Sequence, residues 1–320
     1  MNTQKSKPKK IILAGGSGFI GDSIINYFSG KDAQFIILTR TPKMDRKNVR
    51  HIAWDGKNLG TWVSEFENAD AVINLTGRTV NCRYNKKNKK EILDSRVNST
   101  KCIGEAIRQC KNPPALWINS ASATIYRHAQ DGAMDEDTGE YGNGFSVEVC
   151  RAWEKCFNDI STPLTRKILL RIAIVLGKDA GVMKPMTRLV RLGLGGRMGN
   201  GRQMFSWIHE KDLVSLVEWL IEHEEVSGTF NCVAPNPLPN AQLMRLLRNA
   251  CGIPWGLPQP KWMLEFGALL ISTETELILK SRWVMPKRLL DLGFQFQFET
   301  AEQAIHDLLA EKPVAGEAEP

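Results

Sequence analysis

Three glycines near the amino end of the chain have the spacing of a loop that holds phosphate groups. They lie at positions 15, 18 and 21 of the segment Gly15-Gly16-Ser17-Gly18-Phe19-Ile20-Gly21. The first glycine lets the chain turn, the second lets backbone N–H groups approach a pyrophosphate, and the third lets a helix pack on a strand. The spacing differs from the Gly-x-Gly-x-x-Gly of the simplest dinucleotide sites, and a glycine-rich turn without a ligand is the alternative.

The residues on either side of this loop favour a ligand. Residues 9–14 form a short apolar run, which is typical of a buried parallel strand, and apolar residues at helical spacing begin at Phe19 and continue to Phe28. The loop therefore connects a strand to a helix, as a phosphate-binding loop must. We predict that all seven residues of the segment bind a dinucleotide.

The end of the second predicted strand, residues 34–40, indicates which dinucleotide. In proteins that prefer NAD, an acidic residue near this point binds the ribose 2′-hydroxyl, whereas an arginine suits the 2′-phosphate of NADP. Here the chain carries Thr39 and Arg40, with Lys43 shortly after them. The sequence therefore predicts NADP rather than NAD, although a surface arginine at the end of an edge strand is the alternative.

Two further strands predict additional contacts with the cofactor. Residues 69–77 form the fourth predicted strand and end at Leu75, Thr76 and Gly77, and residues 115–122 form the fifth, which contains Ser120. The carboxyl ends of parallel strands line the ligand crevice of an open α/β sheet. We therefore predict that these four residues bind the cofactor.

The elements that must position these residues alternate regularly. Strands are predicted at residues 9–14, 34–40, 49–55, 69–77, 115–122 and 166–172, and long helices at 85–110 and 145–158. This order implies right-handed βαβ units, and hence an α/β fold with a Rossmann-type doubly wound parallel sheet. We expect a Rossmann domain over residues 1–175, to which 205–234 return through a strand at 229–233.

The remaining residues predict a small α+β substrate lobe and a tail. The lobe comprises residues 176–204 and 235–309, with helices at 241–250 and 263–271 and a short aromatic strand at 294–298. Residues 310–320 are expected to be disordered. Within the lobe, the glycine-rich basic stretch 188–202 predicts a loop that closes over an anionic ligand, with a flexible linker as the alternative. Because guanidinium groups bind phosphates in pairs, we predict that arginines hold an anionic substrate: Arg83, Arg191, Arg197 and Arg202.

Composition excludes several other classes of protein. The 320 residues are 42% hydrophobic and 24% charged, as in ordinary globular proteins, and no apolar run is long enough to cross a bilayer. The seven cysteines include no Cys-x-x-Cys pair, so neither disulfides nor a metal site is expected. The net charge is +7, but the lysine clusters lack interleaved aromatic residues, so nucleic-acid binding is not predicted. We expect a cytoplasmic protein that acts on a small molecule.

Several motifs together resemble one superfamily. They are Gly15–Gly21, Asn74-Leu75-Thr76-Gly77, Ser95-Arg96-Val97-Asn98-Ser99-Thr100, Ser120-Ala121-Ser122-Ala123-Thr124-Ile125-Tyr126 and Ser206-Trp207-Ile208-His209-Glu210-Lys211-Asp212. Over nearly its whole length the chain resembles extended short-chain dehydrogenases/reductases. With Cys150-Arg151-Ala152-Trp153-Glu154, Arg191-Leu192-Gly193-Leu194-Gly195-Gly196 and Pro286-Lys287-Arg288-Leu289, it is similar to atypical epimerase-family, nucleoside-diphosphate-sugar epimerase-like proteins. Some of these are labelled cell-division inhibitors. The resemblance implies a homodimer formed through the helices at 85–110 and 145–158.

The resemblance also shows what the chain lacks. Active members use a serine or threonine after the fifth strand, and a tyrosine followed four positions later by a lysine that lowers the tyrosine pKa. Ser122 matches the serine. Aligned on Ala152-Trp153-Glu154, the tyrosine position falls on Ser146 and the lysine position on Cys150. The sole Tyr-x-x-x-Lys of the chain, which begins at Tyr27, lies at the end of the first helix, far from where the nicotinamide would bind.

Three substitutes for the missing pair remain open. Tyr126 or Tyr141 could supply a phenol, Cys150 could act as an acid or nucleophile, and His209 with Asp212 could act as an acid and its orienter, although each has a structural alternative.

The sequence leaves two candidate functions. One is an NADP-dependent oxidoreductase or epimerase-like enzyme acting on a small polar or nucleotide-linked substrate. The other is a catalytically inactive regulatory protein that senses the cofactor.

Overall fold

The largest sheet has seven parallel strands. The computed structural model describes residues 9–270, 274 and 276–310, with the backbone alone for 266–270 and 277. In chain order the strands are β1 (Lys9–Ala14), β2 (Ala33–Thr39), β3 (Val49–Ala53), β4 (Ala71–Asn74), β5 (Leu116–Ser122), β6 (Arg166–Ile172), β7 (Ile174–Gly177), β8 (Ala180–Gly181), β9 (Met204–Phe205), β10 (Trp207–His209), β11 (Gly228–Cys232) and β12 (Leu238–Pro239).

The order of strands in this sheet is β3-β2-β1-β4-β5-β6-β11, all parallel. From β1 the chain runs outward to β2 and β3, then returns to β4 on the other side of β1. Such a reversal of strand order is the point at which doubly wound folds bind their ligands. The predicted Rossmann-type sheet is confirmed, and β11 joins it beside β6.

Helices cover both faces of the sheet. They are α1 (Phe19–Tyr27), α2 (Lys86–Gln109), α3 (Phe145–Asp159), α4 (Met183–Leu189), α5 (Glu210–Glu222), α6 (Asn240–Ala250), α7 (Lys261–Leu270), α8 (Glu276–Leu279), α9 (Lys287–Asp291) and α10 (Ala301–Leu309). Side chains alternate along each strand, so Ile11 packs with α1 and α5 while Ile12 packs with α2 and α3. This alternation builds a buried apolar core on each face.

A third core lies in the carboxyl-terminal part of the described chain. It joins α4, α6 and α10 through Met183, Leu243 and Ile305, among others, and β9 pairs with β12 beside it. Separately, β7 pairs with β10 and with β8 in a three-stranded sheet. The predicted disordered tail lies outside the described residues, apart from residue 310.

Two expectations for this part of the chain are wrong. The stretch 188–202 is not wholly a loop, because α4 continues as a π-helical turn over Val190–Leu194 and buries Val190 in the third core. Residues 294–298 form no strand. The Asp212 carboxylate accepts hydrogen bonds from the backbone N–H groups of Gln297 and Phe298, at 2.7 and 3.1 Å, so a side chain replaces the neighbouring strand that alternating phenylalanines suggested.

Candidate functional site

The glycines of the loop after β1 differ in how closely other atoms surround them. Gly15 has a φ of 74°, which favours glycine, and a Cβ there would lie 2.8 Å from the Cα of Thr76. A Cβ on Gly21 would lie 2.1 Å from the carbonyl oxygen of Gly16. At Gly18, which precedes α1, a Cβ would meet no atom of the described residues within 4 Å. The loop is closed on its inner side and open at Gly18, where a phosphate can approach the helix N-terminus.

A cleft of about 580 Å³ opens beside this loop. Its walls come from the ends of β1, β2 and β4, the loop after β3 and the first half of α2. Eight of the predicted cofactor residues line it: Gly15, Ser17, Gly18, Thr39, Arg40, Leu75, Thr76 and Gly77. The rest of the lining was not predicted from the sequence: Leu38, Trp54, Asp55, Gly56, Lys57, Arg78, Glu91, Asp94, Ser95 and Asn98.

Four other residues of the glycine segment do not form the walls of the cleft. Gly16 and Gly21 are buried and shape the loop from inside. The ring of Phe19 packs against Gly177, where a Cβ would lie 2.0 Å from the ring, and Ile20 packs on the core. Any contact of Phe19 or Ile20 with a bound phosphate is therefore through backbone N–H groups.

Ser120 belongs to a buried polar network beneath the cleft. Its hydroxyl donates to the carbonyl oxygen of Asn74 at 2.7 Å, which links two strands and does not point into the cleft. The Asn74 amide donates to Asn119 at 2.7 Å, and its Oδ1 accepts from the backbone N–H of Thr76 at 3.0 Å. Asn74 and Asn119 are fully buried, so this network fixes the loop that faces the cofactor. Asparagines within apolar strands were the signal that could have revealed it.

The charges at the outer end of the cleft are arranged for an anion. Asp55 is engaged by its own loop, because its carboxylate accepts from the backbone N–H groups of Lys57 and Asn58 at 3.0 and 2.9 Å. These hydrogen bonds lower the pKa of Asp55, the bond from Asn58 most of all. Among the described residues, Arg40 and Lys57 form no ion pair, whereas Arg78 is paired with Glu91. Two exposed cations therefore remain for a phosphate.

The predicted catalytic residues lie outside the lining of this cleft, at or just after the end of β5 and on α3. Ser122 is half-buried at the end of β5, and its hydroxyl oxygen accepts from the backbone N–H of Thr124 at 3.2 Å. Cys150 is 5% exposed, and burial raises its pKa to about 12. Because a thiol with that pKa stays protonated at neutral pH, the structure does not favour Cys150 as a nucleophile.

Tyr126 and Tyr141 are both held by one buried arginine. Tyr126 is 2% exposed, and its hydroxyl donates to Asn231 at 3.0 Å and accepts from Arg171 at 2.7 Å. Burial is the main reason that its pKa rises to about 12. Arg171 also donates to the Tyr141 hydroxyl at 2.8 Å and forms a bidentate pair with Glu154 at 2.8 and 2.7 Å. Its hydroxyl is engaged by protein partners inside the core, so the structure does not favour the predicted catalytic role of Tyr126.

The pair of His209 and Asp212 is likewise structural. The Nδ1 of His209 accepts from the backbone N–H of Lys211 at 3.0 Å and so caps α5, and its ring stacks on Phe298 at 3.8 Å. Burial lowers the pKa of His209 to about 4, which keeps it neutral. Asp212 holds the segment at residues 297–298 in place, as described above.

A second cleft, of about 710 Å³, lies between the loop after β5 and the carboxyl-terminal part of the chain. It is lined by Arg127, His128, Gly142, Asn143, Lys261, Glu265, Glu276, Leu279 and Lys280. None of the four predicted substrate arginines lines either cleft. Arg83 is half-buried and pairs with Glu274 at 3.5 Å, while Arg191, Arg197 and Arg202 are exposed.

None of the helices in the described part of the chain combines the length and apolar composition that a membrane crossing needs.

Two parts of the chain match known families. Residues 11–232 match the NAD dependent epimerase/dehydratase family, and residues 259–308 match a domain of unknown function, DUF1731. The chain is 30% identical over 307 residues to the Mus musculus epimerase family protein SDR39U1, an alignment that covers 94% of this chain and 100% of the relative. It is 27% identical over 303 residues to the Bacillus subtilis epimerase family protein YfhF, with 94% and 98% covered.

Solved structures give the same result. The human epimerase family protein SDR39U1 (isoform2), crystallised with NADPH, has a TM-score of 0.84 at 28% identity, over 94% of this chain and 99% of that one. The nucleoside-diphosphate sugar epimerase from Corynebacterium glutamicum has a TM-score of 0.75 at 26% identity, over 94% of this chain and 58% of that one. The expected resemblance is confirmed: the chain belongs to the NAD dependent epimerase/dehydratase family, as an atypical extended short-chain dehydrogenase/reductase.

Proposed function

We propose that the protein binds NADP(H) in the first cleft and transfers hydride between it and a small, polar, negatively charged substrate, free or linked to a nucleotide. The observation that carries the proposal is the charge arrangement around Arg40. This arginine and Lys57 are unpaired among the described residues, while Asp55 is occupied by its own loop. A ribose 2′-phosphate would form ion pairs with Arg40 and Lys57. A 2′-hydroxyl would need a carboxylate acceptor, and the Asp55 carboxylate is already hydrogen-bonded within its own loop.

The residues of the first cleft also fit the rest of a dinucleotide. Gly18 presents open space before α1, and the network under Thr76 holds the strand end that would face the cofactor. When bound, the cofactor supplies the hydride. The chain itself would bind the phosphates, orient the dinucleotide along the strand ends and hold a proton for the substrate near Ser122. That the human relative was crystallised with NADPH supports this assignment.

Calorimetry of the purified protein tests the cofactor. We expect NADPH to bind more tightly than NADH, and Arg40→Ala to weaken NADPH binding by about tenfold or more while leaving NADH binding unchanged. Arg108→Ala is the matched control, since Arg108 pairs with Glu105 on the exposed face of α2. Equal affinity of the native protein for both dinucleotides would refute the assignment of the 2′-phosphate to Arg40.

Oxidation of NADPH in the presence of a panel of small carbonyl compounds bearing carboxylate or phosphate groups tests the chemistry. Turnover that disappears in Ser122→Ala would support the enzyme. Light scattering measures the mass of the purified protein in solution and so tests the proposed homodimer through α2 and α3.

A regulatory protein is the second candidate, because Ser146 and Cys150 stand where active relatives are expected to carry tyrosine and lysine. It predicts that the native protein binds NADPH without turnover. It also predicts that the double variant Ser146→Tyr with Cys150→Lys gains turnover on the same panel. Native turnover that depends on Ser122 would exclude it.

A further inference from the structure

Two stretches in the second half of the chain contain no acidic residue. Residues 180–209 and 226–264 have eight lysines and arginines but no aspartate or glutamate, whereas the whole chain has 35 acidic residues among 320. At that frequency each stretch should contain several carboxylates. Three of the eight cations are Arg191, Arg197 and Arg202, which are exposed and line neither of the two clefts, so the clefts do not account for them.

The two stretches meet in the folded chain. The segment before α7 runs alongside the loop that follows the π-helical turn, and backbone hydrogen bonds join the two. The N–H of Leu257 donates to the carbonyl oxygen of Gly193 at 2.8 Å, and the N–H of Gln259 donates to that of Arg197 at 2.9 Å. Since α7 begins two residues later at Lys261, the π-helical turn, its loop and the start of α7 form one continuous surface.

Apolar side chains project from this surface. Of the ten large hydrophobic side chains that are exposed in the described residues, four belong to the two stretches, and each is more than half exposed: Leu192, Trp255, Leu257 and Trp262. A Cβ on Gly256 would lie 2.5 Å from the carbonyl carbon of Gly195. This close packing fixes the backbone of the segment against the loop, while Trp255 and Leu257 on either side of Gly256 stay exposed.

The cations beside these apolar side chains have no carboxylate partners. Arg191 directly precedes Leu192, and Arg197 lies in the loop that pairs with the segment before α7. Within the part of the chain that the structure describes, Arg191 and Arg197 form no ion pair. Glu265, which follows the second stretch, pairs with Lys261 at 3.7 Å and so does not neutralise them. The surface therefore combines unpaired positive charge with exposed tryptophan and leucine.

Six side chains define what we call the cationic surface: Arg191, Leu192, Arg197, Trp255, Leu257 and Trp262. We propose that it binds the headgroup layer of an anionic phospholipid bilayer, without crossing it. The arginines pair with the phosphate and carboxylate groups of the headgroups, and the tryptophans and leucines enter the boundary between headgroups and acyl chains, where tryptophan is enriched. This interaction goes beyond the proposed function and requires neither NADPH nor a substrate.

Charge and shape favour a bilayer over other partners. In a two-fold contact with a second copy of this chain the cationic surface would face itself, and the unpaired arginines of both copies would repel one another. A nucleic acid would supply phosphates for the arginines and bases to stack on the tryptophans, but no apolar layer for Leu192 and Leu257. An anionic bilayer supplies both the negative charge and the apolar layer.

Co-sedimentation with vesicles tests the role of the charges. We expect the native protein to bind phosphatidylcholine vesicles that contain about 30 mol% phosphatidylserine, and to bind pure phosphatidylcholine about tenfold more weakly or less. The double variant Arg191→Gln with Arg197→Gln should lower the affinity for the anionic vesicles by about tenfold or more. Lys86→Gln with Lys87→Gln is the matched control, because it removes two exposed charges from α2. Equal binding by the two double variants would overturn the proposal.

A pair of exposed leucines tests the apolar contact. Leu192→Ser should weaken binding to the anionic vesicles severalfold, whereas Leu164→Ser, at an exposed leucine just before β6, should leave it unchanged. Brominated acyl chains should quench the tryptophan fluorescence of the bound native protein, and Trp262→Phe should reduce that quenching. Binding without any quenching would overturn the insertion of the tryptophans. The urea midpoints of these variants should match that of the native protein, since the side chains are exposed.

Two other results would replace the bilayer with another partner. Retention on DNA without vesicle binding would assign the cationic surface to a nucleic acid. Self-association that disappears in Leu192→Ser, again without vesicle binding, would assign it to a second copy of the chain. Neither result affects the proposed function, which NADPH calorimetry tests separately. The variants should keep the native affinity for NADPH, because none of the substituted residues lines the first cleft.

Discussion

Two regions of the molecule are assembled in different ways: the first cleft, called here the cofactor end, and the surroundings of Ser122 and Thr124 after β5, called the substrate end. At the cofactor end, the lining comes from short stretches that each follow a strand of one sheet, and the residues that matter lie next to one another in sequence. At the substrate end, the Ser122 hydroxyl accepts from the backbone N–H of Thr124, and the carbonyl oxygen of Thr124 accepts from Lys280, 156 residues farther along the chain. The cofactor end can therefore be predicted from local sequence patterns, whereas the residues of the substrate end come together only in the folded chain.

The comparison also separates exposed polar groups from buried ones. Arg40 and Lys57 face the open cleft, where a ligand can pair with them. Tyr126 and Arg171, near the substrate end, are buried and satisfied by protein partners. The first kind of residue should affect binding, and the second kind should affect stability.

Loss of the buried arginine should have the largest effect on stability. Arg171→Met leaves the carboxylate of Glu154 buried and unpaired, and we expect a loss of about 3–5 kcal/mol in the free energy of unfolding by urea. Lys155→Met is the control, because its pair with Asp159 is exposed and contributes about 0–1 kcal/mol. A loss below about 1 kcal/mol in Arg171→Met would show that this network does not hold the substrate end together.

His209 should make the native protein less stable in acid. Its pKa is lowered from 6.5 to about 4 by burial, so the unfolded chain binds a proton that the folded chain excludes. Stability should therefore fall by about 3 kcal/mol as the pH drops from 6.5 towards 4. His209→Asn keeps an acceptor for the N–H of Lys211 and should remove this part of the pH dependence.

Gly21 and Gly18 of the phosphate loop should differ in their effect on stability, although both should affect NADPH binding. Gly21→Ala places a methyl group against the carbonyl oxygen of Gly16, so we expect a loss of about 1–3 kcal/mol in unfolding and weaker NADPH binding. The methyl group of Gly18→Ala meets no atom within 4 Å in the part of the chain that the structure describes, so the stability of this variant should stay within about 0.5 kcal/mol of the native value. Its NADPH affinity should nevertheless fall, because the methyl group projects into the cleft. Unchanged affinity in both variants would place the dinucleotide elsewhere.

The smallest effect is expected at Tyr126. Tyr126→Phe removes one hydroxyl from the Arg171 network, and we expect a loss of about 1 kcal/mol in unfolding with no change in kcat for NADPH oxidation. A large loss of kcat in Tyr126→Phe, with stability unchanged, would show instead that the Tyr126 hydroxyl takes part in the reaction.

Several expectations from sequence depended on local information and others did not. The strand, loop and helix around Gly15–Gly21 follow one another in the sequence. Periodicity and glycine spacing are local properties, so these three elements could be predicted from the sequence. The aromatic segment at 294–298 alternates like a strand, yet Asp212, far away in sequence, captures its N–H groups. Alternation alone could not show that the partner would be a side chain.

The sequence by itself determined the sheet, the phosphate loop and the arginine at the end of β2, because each depends on neighbouring residues and on the regular period of strands and helices. The tertiary structure alone decided which polar groups are buried and which are exposed to solvent or to a ligand. Burial made Tyr126 and Cys150 structural residues, and packing of the carboxyl-terminal segment brought Lys280 to Thr124. Desolvation and distance are properties of the folded chain, and no spacing along the sequence contains them.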